Sequence, residues 1–446
     1  HKIRNLKFGI HFMILIYTHK ITPRVRYIFK HIFTRTLLIP VDFTSKVEEF
    51  VAHNGPKLTY TKTPLAKEFF VKSNDLLFEQ GVNDMDIIIQ KWEEVPCFFK
   101  TGPKSSIPFD VFAASFYLIS RYEEYLPHVK DKHGRYTAEQ SLAYKYGFLE
   151  KPVVDIWAYK LLEVLKEKFP DYEYKNRSFE FISTIDIDNA FAYKHKSLVR
   201  SVGGFFNDLF HFRLINVWNR FAVTFNIKKD PFDTFDTIIS LKKEKNIKTI
   251  FFFLIGDYTT FDTNVSASKT KYRLLIKEMV DYAKVGLHPS YFTMNNPELL
   301  KKEKIRLEHI INKPIQRSRQ HFLRFSLPDT YQNLIDLEVA EDYSMGYASN
   351  VGFRASTCTP FYFYDLDFEI QTPLKVFPFA LMDTTLNDYM KLTPKQSLGR
   401  IRDLKNEVKA VHGTFITLFH NESLSDYDRW KGWKRLYDSM IKIGMV

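Results

Sequence analysis

From about residue 178 onward, short apolar runs rich in β-branched and aromatic residues alternate with segments of helical periodicity. The runs are FEFISTIDI, KTIFFFLIG, AKVGLH, SRQHFLRF, LKVFPFAL and GTFITLFH. Between and after them come PFDTFDTIISLKKEKN, TKYRLLIKEMVDYA, PELLKKEKIRLEHIIN, PDTYQNLIDLEV, PKQSLGRIRDLKNEVKAV and DRWKGWKRLYDSMIK. A strand that returns to its sheet through a helix runs parallel to the one before it, and the helices cover the sheet faces. The pattern predicts an α/β architecture, as a barrel or an open doubly wound sheet.

The preceding stretch has a different rhythm and reads as a mixed α/β unit. A strand is expected from Phe12 to Tyr17, a helix from Pro23 to Phe33 and a strand from Met85 to Gln90. The aromatic segment PFDVFAASFYLISRYEEYL and the amphipathic KPVVDIWAYKLLEVLKEKF read as two further helices. PDYEYKNRS, residues 170 to 178, is polar and turn-rich. Since 446 residues exceed what one core usually organises, two domains are expected, 1–172 and 178–446. His128, His133 and Asp155 read as surface or capping residues.

The first residues, HKIRNLKFGIHFMILIYTHK, imitate a signal peptide, but His11 interrupts the apolar stretch and no small-residue cleavage site follows. The stretch is also shorter than the ~20 residues that span a bilayer. No transmembrane segment and a cytoplasmic location are expected. Two cysteines, Cys97 and Cys358, fall on opposite sides of the proposed boundary, which argues against a disulfide framework and fits a reducing compartment. Cys358 reads as a buried thiol.

The formal charge of +12 would suit an anionic partner, yet the lysine runs at Lys242, Lys243, Lys245, Lys248 and at Lys301, Lys302, Lys304 alternate with Glu in helical stretches, as solvated faces do. Without a basic motif interleaved with aromatic residues, nucleic-acid binding is not expected.

Chemistry is suggested by ionisable residues at the ends of several different strands: Asp186 and Asp188 after FISTI, His288 after KVGL, and His420 after FITLF. In α/β barrels such ends form one rim, where residues distant in sequence converge. Asp186 and Asp188 are two apart, so on a strand they share a face. One carboxylate can bind a cation while the other accepts a proton from cation-bound water. Imidazole serves both metal ligation and proton transfer near neutral pH. His321, within RSRQHF, is a third candidate ligand, although Arg319 and Arg324 also permit an anion-binding segment. Arg319, Asp342 and Arg354 are candidates for holding substrate or orienting a catalytic carboxylate.

At these residues the chain resembles the polysaccharide deacetylase, or NodB-homology, family over about residues 178–446. The resemblance rests on T-I-D-I-D at 184–188, G-L-H-P-S-Y at 286–291 and L-F-H-N at 418–421, in the family's order. R-Q-H-F, E-D-Y-S-M-G-Y and G-F-R-A-S-T look like the middle segments of its longer, divergent members. The N-terminal part resembles an uncharacterised domain that accompanies such barrels. The resemblance implies a distorted (β/α) barrel, a divalent ion, usually zinc, and hydrolysis of an N-acetyl, less often O-acetyl, group on a glycan. It implies Asp186 as general base, Asp188 and His288 as metal ligands, and His420 as the acid that protonates the leaving amine. The family's second histidine ligand would fall at Phe292, which binds no metal, so His321 is expected to replace it. Two alternatives are a non-catalytic relative that binds glycan and a glycosyltransferase using the D-x-D to hold a metal–nucleotide-sugar complex.

Overall fold

The computed structural model describes residues 13–196 and 198–445. The signal-like residues 1–12 lie outside them, including Phe12 of the first expected strand, which here is Ile14–Tyr17. This strand is central to a parallel four-stranded sheet, in the spatial order Val41–Thr44, Ile14–Tyr17, Lys57–Thr61, Phe69–Lys72. Helices Pro23–Phe29, Val111–Ile119 and Val153–Lys168 pack beside it around an aromatic core in which Phe29 stacks on Phe112 at 3.7 Å.

Two expectations for this region change. The aromatic segment is not one helix: it breaks at Arg121, whose φ is +56°, into Val111–Ile119 and Tyr122–Tyr125. The turn lets the buried Arg121 guanidinium pair with Glu123 at 2.8 Å and Glu124 at 2.7 Å. Residues i and i+2 of a continuous helix do not face each other, so the break makes the first pairing available. The strand expected from Met85 to Gln90 forms only over Gln90–Trp92, hairpinned with Val95–Cys97.

A second sheet has nine strands, in the spatial order Phe361–Asp365, Ile370–Val376, Glu341–Asp342, Arg317–Ser318, Lys284–His288, Lys248–Leu254, Glu180–Ile187, Thr414–His420, Leu381–Met382. Every pairing is parallel except that of Phe361–Asp365 with Ile370–Val376. Among the described residues the ladder is open, since the two edge strands do not pair. Residues 377–380 nevertheless cross between its two sides: Phe377 N–H donates to Asp342 O at 2.8 Å, and Ala380 N–H to Ile416 O at 2.9 Å. That crossing divides LKVFPFAL, read as one strand, between Ile370–Val376 and Leu381–Met382. Of SRQHFLRF only its first residue lies in a strand, Arg317–Ser318, because Phe322 and Leu323 adopt φ of +58° and +51° and turn the chain away.

The central strands alternate with period two. Ile182, Ile250, Phe252, Ile416 and Leu418 point into a small interior cluster with Tyr343 and Phe379. Their neighbours Phe181, Ile185, Phe251, Phe253, Phe415 and Phe419 face the main core. Continuing the inner set along each strand leads to Asp186, His288 and His420. Gly286 is required on this face, because a Cβ there would lie 2.5 Å from the Phe252 ring.

The six expected helices form as Phe235–Lys245, Thr270–Tyr282, Pro297–Ile311, Asp329–Asp336, Pro394–Ala410 and Trp433–Gly444. Two more, Leu198–Phe210 and Leu214–Thr224, were not anticipated. No helix among the described residues is long and apolar enough to cross a membrane.

The two sheets are tied together by buried polar contacts. Asp155, read above as a surface or capping residue, is fully buried and accepts hydrogen bonds from Thr357 Oγ1 at 2.7 Å and Cys358 N–H at 2.9 Å. Cys358 is a buried free thiol, as expected.

Candidate metal centre

Asp188 stands where three histidines meet. His288 Nε2 lies 3.1 Å from Asp188 Oδ1, while His321 Nε2 and His420 Nε2 lie 3.4 and 3.6 Å from Oδ2. One ligand atom from each of Asp188, His288 and His321 falls within 4.8 Å of the other two. These residues come from the ends of three different strand segments, so the sheet, not local sequence, assembles the group.

In each histidine the other ring nitrogen is committed. His288 Nδ1 meets the Arg319 carbonyl, His321 Nδ1 meets Asp262 Oδ1 at 2.8 Å, and His420 Nδ1 meets Asp383 Oδ1 at 2.7 Å. An acceptor at Nδ1 fixes the proton there and leaves Nε2 with its lone pair toward Asp188. Asp188 Oδ1 is buried without a hydrogen-bond partner. An orphaned carboxylate oxygen beside two imidazole lone pairs is a donor set that fits a divalent cation.

The electrostatics agree with that fit. Burial alone would raise the Asp188 carboxyl, but His321 and His420 hold it well below the usual carboxylate range. Burial opposes protonation of His321, yet Asp188 and then Asp262 push its imidazole up to about 9. His420 is likewise raised, against burial, by Asp383 and Asp188. The pocket therefore has a strong affinity for positive charge, which protons satisfy when no cation is bound.

Asp186 lies behind Asp188 on the same face. Its Oδ1 is 3.4 Å from Arg319 Nη1, and Arg319 Nη2 donates to Thr184 Oγ1 at 2.8 Å. Arg319 is wholly buried between the Phe252 and Phe379 rings, each 5.1 Å away, so it meets Asp186 from within the fold and not from the cavity. Asp342 is reached indirectly: it accepts from Ser344 Oγ at 2.8 Å, and Ser344 Oγ accepts from Gln320 N–H at 2.9 Å, one residue before His321. Burial pushes the Asp342 carboxyl up to about 6.

Arg354 does not join this group. Its guanidinium is buried against Glu124, with contacts of 2.6 and 2.9 Å, and serves the junction between the sheets. Phe292 also stands apart, 45% exposed and packed edge-on against Phe261.

Asp262, Asp383 and Thr184 were missed in the sequence. Asp383 follows the short strand Leu381–Met382, so the strand-end criterion would have found it had LKVFPFAL been divided correctly. Asp262 sits in a loop and carries no periodic signal.

A cavity of about 280 Å³ opens over the centre, lined by Asp186, Asp188, His288, His321 and His420 together with Phe322, Met382, Tyr389 and Arg429. Arg135, from the segment before the large sheet, lines it too. Its Nη1 donates to Phe322 O at 2.7 Å, at the left-handed residue that follows His321. A bulky side chain in that conformation persists only where its surroundings hold it, so Arg135 helps to fix the His321 turn. His133, expected at the surface, is half-buried there and bonds Tyr291 Oη at 3.1 Å.

Residues 14–170 match the profile of a family of unknown function, DUF7033. No curated protein matches the chain. Among solved structures it is similar to a provisionally named polysaccharide deacetylase from Mycobacterium smegmatis, at 14% identity over 60% of this chain and 84% of that one, with a TM-score of 0.39. A polysaccharide deacetylase from Bacillus cereus gives 12% identity over 60% and 86%, with a TM-score of 0.28. A CE4 family pseudoenzyme from Bacillus anthracis gives 11% over 58% and 61%, with a TM-score of 0.27. Likenesses this distant assign no chemistry; that rests on the residues themselves.

Proposed function

We propose that the chain is a metal-dependent hydrolase that removes an acetyl group, N-acetyl in preference to O-acetyl, from a carbohydrate. The observation that carries this reading is the convergence of Asp188, His288 and His321, each imidazole tautomer fixed from behind, beside two further proton-handling groups, Asp186 and His420, which face each other across adjacent strands. Two imidazoles and a carboxylate suit zinc, which when bound would polarise the acyl carbonyl and supply an activated water.

Asp188, His288 and His321 would hold the ion, the two imidazoles through Nε2. Asp186, oriented by Arg319, takes the proton of the attacking water. His420 presents Nε2 to the cavity, while Asp383 fixes its Nδ1 proton and favours the imidazolium, so it can protonate the leaving amine. The half-exposed Tyr389 and the Phe322 ring give the cavity aromatic faces on which the C–H face of a sugar can stack. The convergence of three imidazoles on Asp188 weighs against the glycosyltransferase reading, which leaves His288 and His420 without a role.

The test is acetate release from a panel of N-acetylated amino sugars and their oligomers, with bound metal measured alongside. Asp186→Asn and His420→Ala should each lower turnover by about 10²–10⁴-fold, the usual contribution of a positioned acid or base, while retaining metal. Equal release by wild type and Asp186→Asn would remove Asp186 from its role. Absence of bound metal after supply of zinc would leave the non-catalytic glycan-binding reading.

A further inference from the structure

The helices Leu198–Phe210 and Leu214–Thr224 form a hairpin that follows the strand bearing Asp186, and their amphipathicity is inverted. Surface helices normally turn their apolar stripe toward the core. Here Ala222 and Val223 are buried, but the large apolar side chains face outward. Phe206 is 61% exposed, Phe210 82%, Phe212 86%, Leu214 64%, Ile215 73% and Trp218 53%. Four of these six surround the turn between the helices, so the apolar surface is concentrated at a protruding tip. Soluble proteins rarely expose a contiguous patch of this kind unless something covers it.

Charge identifies the cover. From Lys194 to Lys229 the sequence has seven Lys and Arg residues and a single carboxylate, Asp208. Asp208 is spent on Arg220, at 2.8 Å. Arg213, at the tip, and Lys228, at the base, are exposed, and Lys228 bonds only the neutral Asn219, which leaves its charge uncompensated. Bulky apolar and aromatic side chains flanked by uncompensated cations match the interface of an anionic bilayer, where the side chains enter the acyl boundary and the cations meet the headgroups.

The hairpin is also held in a defined place. Asp230 accepts from the N–H groups of Ala192, Tyr193 and Lys194, and Tyr427 Oη donates to Asn216 Oδ1 at 2.8 Å. Tyr427 lies two residues before Arg429, which lines the cavity, so the hairpin is braced by the segment that leads to it.

We propose that this hairpin docks the protein on an anionic lipid surface, with its tip inserted at the headgroup–acyl boundary. The docking does not depend on the chemistry of the metal centre. The test is co-sedimentation of the full chain with vesicles of phosphatidylcholine, alone or mixed with phosphatidylserine, at low and high salt. Binding to the mixed vesicles is expected, weaker at high salt and at least about tenfold weaker on neutral vesicles, given roughly a fivefold contribution from each basic residue near the surface. Phe210→Glu with Ile215→Glu should abolish it without lowering the melting midpoint. Arg213→Ala with Lys228→Ala, which leaves the apolar face intact, should weaken it and flatten its salt dependence. Failure to sediment with either vesicle would overturn the proposal. So would a dimer in solution that Phe210→Glu with Ile215→Glu converts to monomer while vesicle binding stays absent, since a second copy would then be the cover.

Discussion

Replacing Asp262 with Asn isolates how far the metal site depends on the group behind His321. Asp262 Oδ1 accepts from both His321 Nδ1 at 2.8 Å and Tyr291 N–H at 2.9 Å, and its Oδ2 accepts from Thr259 Oγ1 at 2.7 Å. Asparagine is nearly isosteric and can keep its Oδ1 toward His321 and Tyr291, so the loop and the ring orientation survive. What is lost is the charge. A hydrogen bond to a charged group contributes about 1.5–3 kcal/mol and a neutral one about 0.5–1.5, so the change should cost roughly 1–2 kcal/mol of ligand basicity and alignment. Removing such a partner of a ligating histidine typically lowers metal affinity about 10–100-fold, and the conservative Asn should fall at the lower end. Asp262→Ala, which also strands the Tyr291 N–H, should fall at the upper end. Chelator-competition titration with zinc measures both. Affinities equal to wild type in both variants would show that His321 is not a ligand.

Metal affinity should rise with pH up to about 9, because a proton held on His321 must leave before Nε2 can ligate; below that value each pH unit lost costs about tenfold. Calorimetric titration in buffers of different ionisation enthalpy should report close to one proton released per ion at neutral pH. Glu303, buried beneath the Ser290 turn, is pushed by burial up to about 7, while hydrogen bonds from Ser290 oppose the rise. Between about 4.5 and 7 the folded chain keeps a proton that the unfolded chain has released, so Glu303 makes stability fall as pH rises through that window, by about 3 kcal/mol in all. Urea unfolding across pH should show a flatter profile for Glu303→Gln. Arg354→Ala should destabilise by about 3 kcal/mol by leaving Glu124 buried with only Arg121, yet leave zinc affinity unchanged; a loss of metal would return Arg354 to the site.

The sequence made the site's geometry legible wherever a strand was long. Glu180–Ile187, Lys284–His288 and Thr414–His420 each carry an apolar run that ends on an ionisable residue, and period-two alternation is enough to put Asp186 and Asp188 on one face. It was silent where long-range pairing decides the conformation. Arg317–Ser318 and Glu341–Asp342 are two residues each, too short to impose a periodicity, and exist because the strands beside them supply the ladder. The helices at Leu198–Phe210 and Leu214–Thr224 carry apolar residues at helical spacing, such as Leu198, Val202, Phe205 and Leu209, so their existence was legible; what the sequence does not show is that the large apolar side chains from Val202 onward face solvent and not a core. Asp262 was hidden because it sits in a loop with no periodic signal, and Asp383 because it follows a strand of only two residues, Leu381–Met382. Their function lies in what they touch across the fold, not in their neighbours in sequence.

Phe292 stands where the resemblance to polysaccharide deacetylases leads one to expect a second histidine, and its surroundings show how the chain is directed there. Ser290 is pinned by Glu303, whose Oε2 accepts from the Ser290 N–H at 2.9 Å, and Tyr291 N–H is held by Asp262. With both residues fixed, the chain enters the short turn Tyr291–Asn295 and position 292 is directed toward solvent, where its ring packs edge-on against the stacked Phe261 and Tyr291 rings. A histidine there would face the same way. Asp262, which holds the Tyr291 N–H, also accepts from His321 Nδ1, so under the proposed function it ties the loop after His288 to the candidate ligand at the neighbouring strand end. A centre built in this way depends on His321 and Asp262 jointly, so losing either should weaken metal binding although Asp188 and His288 remain.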